Sequence, residues 1–200
     1  MTPLQVETIF NAYPNQNVVD MIKKDQLDLS KLKGIKDFRI KIIKDKILKS
    51  EKIANILSLF NGSGLSYLMV DKLVDHYKTP EIALDVLKKN PYRLIEISGI
   101  GFNTADEIAR KMGISVYDTN RINAGIEFVI DSVQENGNTY VEKKVALDLA
   151  ANLLGVSHTI IEKTMLFNDE IEIYGNTKVS TKKILKYEKN IAFYLKNLIS

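Results

Sequence analysis

Two glycines, one residue apart, constrain this chain more than any other feature of its sequence. Gly99 and Gly101 interrupt a strongly helical background and lead directly into another helical run. A glycine within a helix costs about 1 kcal/mol relative to alanine, so such a pair marks either a forced turn or a backbone surface that another molecule approaches closely. We therefore expect the chain to turn between two helices at this point.

The residues around these glycines are typical of a helix-hairpin-helix turn. The motif has a small residue, a glycine, an apolar residue and a glycine, with another small residue four positions further on. Here these residues are Ser98, Gly99, Ile100, Gly101 and Ala105. We expect Ile100 to be buried between the two helices and Ala105 to let them pack closely. An interhelical turn whose glycines serve packing alone is the alternative.

The same turn predicts contact with phosphate. Its successive N–H groups are open to an anion because the glycines have no Cβ, and the positive end of the following helix lies behind them. Asn103 and Thr104 can add side-chain donors, and contacts of this kind hold a backbone without reading a sequence. With exposed lysines from other segments, the predicted DNA-binding residues are Ser98, Gly99, Ile100, Gly101, Asn103, Thr104, Lys111, Lys36, Lys182 and Lys183.

Positive charge is concentrated in two stretches, although the net charge is only +3. Residues 31–52 contain nine Lys and Arg against three acidic residues, and residues 178–196 contain six against one. The rest of the chain is therefore acidic, and this asymmetry suits a protein that meets a polyanion on particular faces. A solvated basic helix face is the simpler explanation for either stretch alone.

An internal repeat indicates that the hairpin unit is used twice. The segment Leu32–Lys36 parallels Ile97–Gly101 at an offset of 65 residues, and the helices that precede the two segments show a similar offset. The first copy keeps Gly34 but has Lys36 where the second has a glycine. The sequence thus predicts a tandem helix-hairpin-helix domain over residues 1–115.

After Gly113 the pattern changes to helix, short strand, helix, helix, β-hairpin and helix, which is the order of a winged helix. Gly175 and Asn176 stand between two β-rich segments and indicate a two-residue hairpin loop. We predict a small winged-helix-like α+β module over residues 116–200, closing with a basic helix. The predicted fold class is mainly α, with the tandem helix-hairpin-helix domain followed by this module.

Several kinds of site are not readable in the sequence. There is no cysteine, His76 and His158 have no ligand-like spacing, and no G-x-x-x-x-G-K-[ST] phosphate-binding loop occurs. We therefore expect no metal, cofactor or catalytic residue in this chain. No apolar run reaches the roughly 20 residues of a membrane span and no signal peptide is visible, so we expect a cytoplasmic protein without a membrane partner.

Residues 87–113 resemble the amino-terminal region of RecD-like DNA helicases, of the exodeoxyribonuclease V alpha type. They read LKKNPYRLIEISGIGFNTADEIARKMG, and Arg121–Ile126 and Gly137–Tyr140 resemble the same family. The resemblance implies an accessory region of an ATP-dependent helicase that moves 5′ to 3′ on single-stranded DNA in repair or recombination. It implies two partners, which are DNA, single-stranded or at a duplex junction, and a motor domain in cis or in trans. Mg-ATP would belong to that motor.

The chain departs from this family because it contains no motor. We expect either an excised fragment or a free-standing relative, and in neither case an enzyme by itself. A helix-hairpin-helix DNA glycosylase is the enzymatic alternative, with Asp118 as its catalytic aspartate. However, Asn103 stands where some glycosylases have lysine, and Asp118 follows the hairpin too soon and is more simply a helix cap. A protein-interaction scaffold is the third hypothesis.

Overall fold

The computed structural model describes residues 2–135 and 137–199. By their internal contacts the residues form two compact units. The first consists of Met1–Asn61 with Leu65–Leu84, and the second of Gly62–Gly64 with Asp85–Ser200. The predicted domain boundary between residues 115 and 116 lies inside the second unit. The division into two domains at that point stays a prediction.

The first unit is helical. The side chain of Thr2 accepts a hydrogen bond from the N–H of Gln5, and the Gln5 side chain accepts one from the N–H of Thr2, so a capping box begins the first helix. Buried apolar side chains from the first three α-helices, and from the segment before the third, pack together as a core. The elements are α1 (Pro3–Ala12), α2 (Val18–Lys23), a 3₁₀ helix (Leu29–Lys31), α3 (Asp37–Leu59) and α4 (Tyr67–Tyr77), while α5 (Pro80–Lys89) runs from this unit into the second.

The second unit combines helices with a small sheet. The ring of Phe102 stacks against two other rings, with its centroid 6.1 Å from that of Tyr92 and 5.5 Å from that of Phe128. The elements are a 3₁₀ helix (Pro91–Glu96), α6 (Phe102–Lys111), α7 (Thr119–Gln134), β1 (Val141–Glu142), α8 (Lys143–Leu154), α9 (His158–Leu166), β2 (Ile171–Tyr174), β3 (Lys178–Thr181) and α10 (Lys182–Ile199). From α7 onward this is the order of a winged helix, so the predicted fold class is confirmed.

The sheet has the order β1-β3-β2, with β3 antiparallel to both neighbours. The loop between β2 and β3 has three residues, so the prediction of a two-residue loop was wrong. Gly175 and Asn176 adopt φ values of +53° and +60°, as a tight hairpin requires. Thr177 does not join the β2–β3 ladder, because its N–H donates to Tyr174 and its carbonyl accepts from the N–H of Lys143.

Close packing joins α7 to α8. A Cβ added to Gly125 would lie 2.5 Å from a methyl carbon of Leu154, so only glycine lets α8 approach this near. Among the described residues, no single helix is both long enough and apolar enough to cross a membrane. The helices α8 and α9 are long and apolar enough only when they are counted together, and the chain bends by 115° between them.

Candidate nucleic-acid interface

The turn before α6 has the backbone that its two glycines predict. The N–H of Ile100 donates to the carbonyl of Ile97 at 3.0 Å and closes a tight turn. Gly99 has φ +90°, a backbone conformation that residues other than glycine rarely adopt. The chain thus needs a glycine at position 99 for the turn itself.

Gly101 has a different role, as the N-cap of α6. Its φ of −88° and ψ of 173° suit any residue, and a Cβ at this position would meet no atom within 4 Å. Its carbonyl accepts the first helical hydrogen bond, from Ala105 at 3.1 Å. The N-cap makes no side-chain capping hydrogen bond, and the first N–H groups of α6 have no partner within the helix.

The side chains around this turn divide into a buried and an open set. Ile100 and Ala105 are buried, as expected of the residues that hold the two helices together. Ser98, Gly99, Gly101 and Asn103 are exposed, and Thr104 is partly exposed. Six of the predicted DNA-binding residues, those between 98 and 104, therefore lie together at the amino-terminal end of α6.

A polar network fixes α6 behind the turn. Asp106, one helical turn into α6, accepts a hydrogen bond from the hydroxyl of Tyr92 at 2.6 Å. It also accepts two from the guanidinium of Arg121, at 2.8 and 3.0 Å. The remaining terminal nitrogen of Arg121 donates to the carbonyls of Val116 and Leu154. One guanidinium thus holds α6, α7 and the end of α8 in a single arrangement.

The network also determines the charge states of its members. Burial raises the pKa of the Asp106 carboxyl, but the hydrogen bonds from Arg121 and Tyr92 outweigh burial and leave this pKa below its usual value. Burial, followed by the hydrogen bond to Asp106, raises the pKa of Tyr92. Asp106 is therefore a carboxylate and Tyr92 a phenol at neutral pH, which is the pairing that a charge-assisted hydrogen bond needs.

Two further glycines in the described residues precede a helix and have a similar φ. Gly34 and Gly64 have φ values of +80° and +91°, close to that of Gly99. Each is followed by an apolar residue, an extended N-cap and a helix, with Lys36 and Ser66 at the cap positions before α3 and α4. The Gly34 turn was predicted from the repeat. The Gly64 turn was missed, because its serine stands where the motif has a second glycine.

Of the predicted lysines, Lys111 lies apart from the 98–104 turn. Lys111 is at the far end of α6, about 15 Å along the axis, where it pairs with Glu107 at 2.7 Å. Its Nζ would lie 3.7 Å from a Cβ at Gly64, so Lys111 flanks the Gly64 turn instead. Lys36 is the exposed N-cap of α3 in the other unit, and Lys182 and Lys183 are exposed at the start of α10.

Comparison with known proteins agrees with the hairpin geometry. Residues 49–140 match the family model described as the ATP-dependent RecD2 DNA helicase HHH domain. Residues 49–140 form a RecD2-type helix-hairpin-helix domain. The ATP-dependent RecD2 DNA helicase of Deinococcus radiodurans is 26% identical over 164 residues, which cover 72% of this chain and 22% of that relative. The chain thus spans about a fifth of the length of the curated relative it matches.

The RecD2-type domain contains the turns at Gly64 and Gly99, whereas the turn at Gly34 lies before it. It also continues through α7 to Tyr140 and so includes both Asp106 and Arg121. The tandem hairpins within the RecD2-type domain are therefore 35 residues apart. The Gly34 turn, the predicted first copy of the repeat, lies outside the matched residues, and its membership of the repeat stays a prediction.

Asp118 is the N-cap of α7 in the structure. Its carboxylate accepts hydrogen bonds from the N–H groups of Asn120 and Arg121, at 2.9 and 3.3 Å. The carboxylate therefore has a structural role that explains its position after the hairpin.

Proposed function

We propose that this chain is an accessory region of a RecD-like DNA helicase that holds DNA by its backbone and does not read its sequence. The observation that carries the proposal is the open amino terminus of α6. Gly101 offers it no side-chain cap, and a Cβ at this position would meet no atom within 4 Å. Backbone N–H groups and the helix dipole then favour a phosphate oxygen.

The two similar turns extend this proposal. The Gly34 turn presents Lys36 at its N-cap, and the Gly64 turn has the ammonium of Lys111 beside it. Lysine supplies a point charge that suits phosphate without base recognition. We propose backbone contacts at all three turns, with Lys182 and Lys183 as further phosphate contacts in the winged module.

The proposed role is binding rather than catalysis. The sequence contains no G-x-x-x-x-G-K-[ST] loop, and the match to the RecD2 family lies in its helix-hairpin-helix domain. Unwinding and ATP hydrolysis would come from a motor domain, in cis or in trans. The carboxylate of Asp118 is used in capping α7, so no observation favours the glycosylase alternative.

The test is a substitution that covers the amides without straining the fold. Gly101→Val should leave the melting temperature unchanged, because the N-cap backbone is extended and the site is open. It should weaken binding of every DNA sequence alike and leave the slope of log affinity against log salt nearly unchanged, because the backbone amides that it covers carry no net charge and release few counterions. Fluorescence anisotropy of labelled single-stranded and duplex DNA at several salt concentrations measures both.

Ser157→Val is the matched control. Ser157 is another exposed, extended N-cap whose side chain makes no capping hydrogen bond, but it precedes α9 and not a hairpin. Its replacement should leave affinity unchanged. Wild-type affinity in the Gly101→Val variant would show that the hairpin serves packing alone. If the wild-type chain bound no DNA at low salt, the protein-interaction scaffold would replace this proposal.

A further inference from the structure

A second cluster of residues suited to DNA lies on the winged module, away from the hairpin turns. Lys178 on the central strand β3 pairs with Tyr174 on β2, and its Nζ lies 3.8 Å from the ring centroid of Tyr140, just before β1. With Thr139, Leu185 and Glu188 these residues line a cleft of about 230 Å³. We call this group the tyrosine cleft.

The aromatic rings of the tyrosine cleft are accessible. Tyr140 is 45% exposed and Tyr174 is 38% exposed, whereas Val179, which follows Lys178 on the opposite face of the sheet, is fully buried. Successive unpaired bases stack on such rings in proteins that bind single-stranded nucleic acid, whatever the base, because every base has a π face. The rings therefore suit a ligand that is flat and aromatic.

The charges of the tyrosine cleft suit the rest of a nucleotide. Among the described residues Lys178 forms no ion pair, and its cation over the Tyr140 ring is available to a phosphate. Lys182 and Lys183 are exposed at the start of α10, directly after β3. Glu188 also lines the cleft, and its carboxylate can accept from an exocyclic amino group of a base but would repel a phosphate.

The combination of exposed rings and charges in the tyrosine cleft favours an unpaired strand over a duplex. In a duplex the bases are stacked on each other and their faces are covered, so only phosphates would reach the tyrosine cleft and Glu188 would oppose them. In a single strand a base is free to stack on Tyr174 while a neighbouring phosphate meets the ammonium of Lys178. We propose that the tyrosine cleft binds a nucleobase of unpaired DNA and so gives the winged module a preference for single strands.

This inference rests on the proposed function, because it adds base contacts to a protein already proposed to hold the DNA backbone. The test replaces one ring at a time. Tyr174→Leu keeps apolar bulk and removes the aromatic face, and Tyr174→Phe keeps the face and removes the hydroxyl. Tyr117→Leu is a control at an exposed tyrosine outside the cleft. The probes are a labelled oligothymidylate, the same strand with abasic residues, and a blunt duplex.

We expect Tyr174→Leu to weaken binding of the oligothymidylate about tenfold and to leave duplex binding unchanged. The Phe and Tyr117 variants should bind like the wild type. The salt dependence of the Leu variant should also match the wild type, because a neutral ring releases no counterions. The wild type should bind the abasic strand about as weakly as Tyr174→Leu binds the intact strand.

Equal binding of intact and abasic strands by the wild type would overturn this inference and leave backbone binding in place. Equal weakening of single-strand and duplex binding by Tyr174→Leu would do the same. A wild type that binds none of the three probes would overturn both proposals. In that case the tyrosine cleft would be a protein contact, as in the scaffold hypothesis.

Discussion

The guanidinium of Arg121 donates hydrogen bonds to both carboxylate oxygens of Asp106, and the Arg121 side chain is only 7% exposed. The two residues are 15 positions apart and belong to different helices, α7 and α6. Hydrogen bonds to two backbone carbonyls occupy another nitrogen of the same guanidinium. A buried ion pair satisfied in this way depends on both partners, because removing one leaves the other charged and without compensation.

Arg121→Met should therefore lower the free energy of unfolding by about 3 kcal/mol. Methionine fills much of the same volume but removes the guanidinium, so Asp106 keeps only the hydrogen bond from Tyr92 and the carbonyls of Val116 and Leu154 lose their arginine donor. Urea unfolding followed by circular dichroism measures the change. Arg93→Met is the control, because the Arg93–Glu96 pair is exposed and such pairs contribute about 0–1 kcal/mol. Equal destabilisation of the two variants would contradict a special role for the buried pair.

Glu127→Gln should stabilise the protein at neutral pH. Burial raises the pKa of Glu127 above its usual 4.5, the hydrogen bond from Asn168 lowers it, and Glu170 and Asp131 raise it further. The folded protein then binds more protons than the unfolded chain above pH 4.5, so stability falls as the pH rises through the raised pKa. Glutamine keeps an oxygen that accepts from Asn168 and removes the charge.

The measurement is urea unfolding of both proteins between pH 3.5 and pH 7. The difference in free energy of unfolding between Glu127→Gln and wild type should shrink as the pH falls towards 4.5, the usual pKa of a glutamate. Glu107→Gln is the control with the opposite sign, because the hydrogen bond from Lys111 lowers the pKa of Glu107. A constant difference between Glu127→Gln and wild type at every pH would refute the titration as its cause.

Gly99→Ala and Gly101→Ala should have different effects on stability, although the two glycines share one turn. Alanine at position 99 must adopt φ +90°, and left-handed backbone costs an L-residue roughly 1–2 kcal/mol. Alanine at position 101 meets no atom and fits an extended backbone, so the melting temperature should stay the same or rise slightly. Calorimetry of both variants tests this, and equal destabilisation would mean that position 101 also needs a glycine.

Gly125→Ala should destabilise the second unit by about 1–3 kcal/mol through overpacking against Leu154. The same substitution in a Leu154→Ala background should cost much less, because the added methyl group then has room. A double-mutant cycle by urea unfolding gives the coupling between the two sites. Additive effects would show that the helices separate to accommodate the methyl group.

Local rules account for the elements that could be predicted from the sequence. Asn90 and Thr79 cap the helices that begin with Pro91 and Pro80, through hydrogen bonds to the N–H groups of Tyr92 and Ile82. Each of these signals acts within three residues, so it is visible in the sequence alone. The turn at Gly99 could be predicted for the same reason.

The Gly64 turn was missed because a different chemistry fills the same position. Ser66 replaces the second glycine, and its hydroxyl accepts from the N–H of Met69 at 3.2 Å, so it caps α4. The available signal was a glycine, an apolar residue and an N-cap, followed four positions later by the buried Val70. A search for that wider pattern finds all three turns.

The Arg121 network could not be predicted because its partners are distant in sequence. Leu154 is 33 residues from Arg121, and only the packing of α7 on α8 brings its carbonyl within 2.9 Å. An arginine on a helix with apolar neighbours usually extends into solvent. Its burial follows from tertiary structure that no local pattern contains.

The Tyr92–Asp106–Arg121 network has a mechanical consequence. If DNA binds at the 98–104 turn as proposed, tension on the DNA would enter the protein through α6, and Asp106 lies in the second turn of that helix. From there the force passes through two charge-assisted hydrogen bonds into α7 and through the Arg121–Leu154 bond into the end of α8. Direct hydrogen bonds therefore connect the hairpin to the first two helices of the winged module.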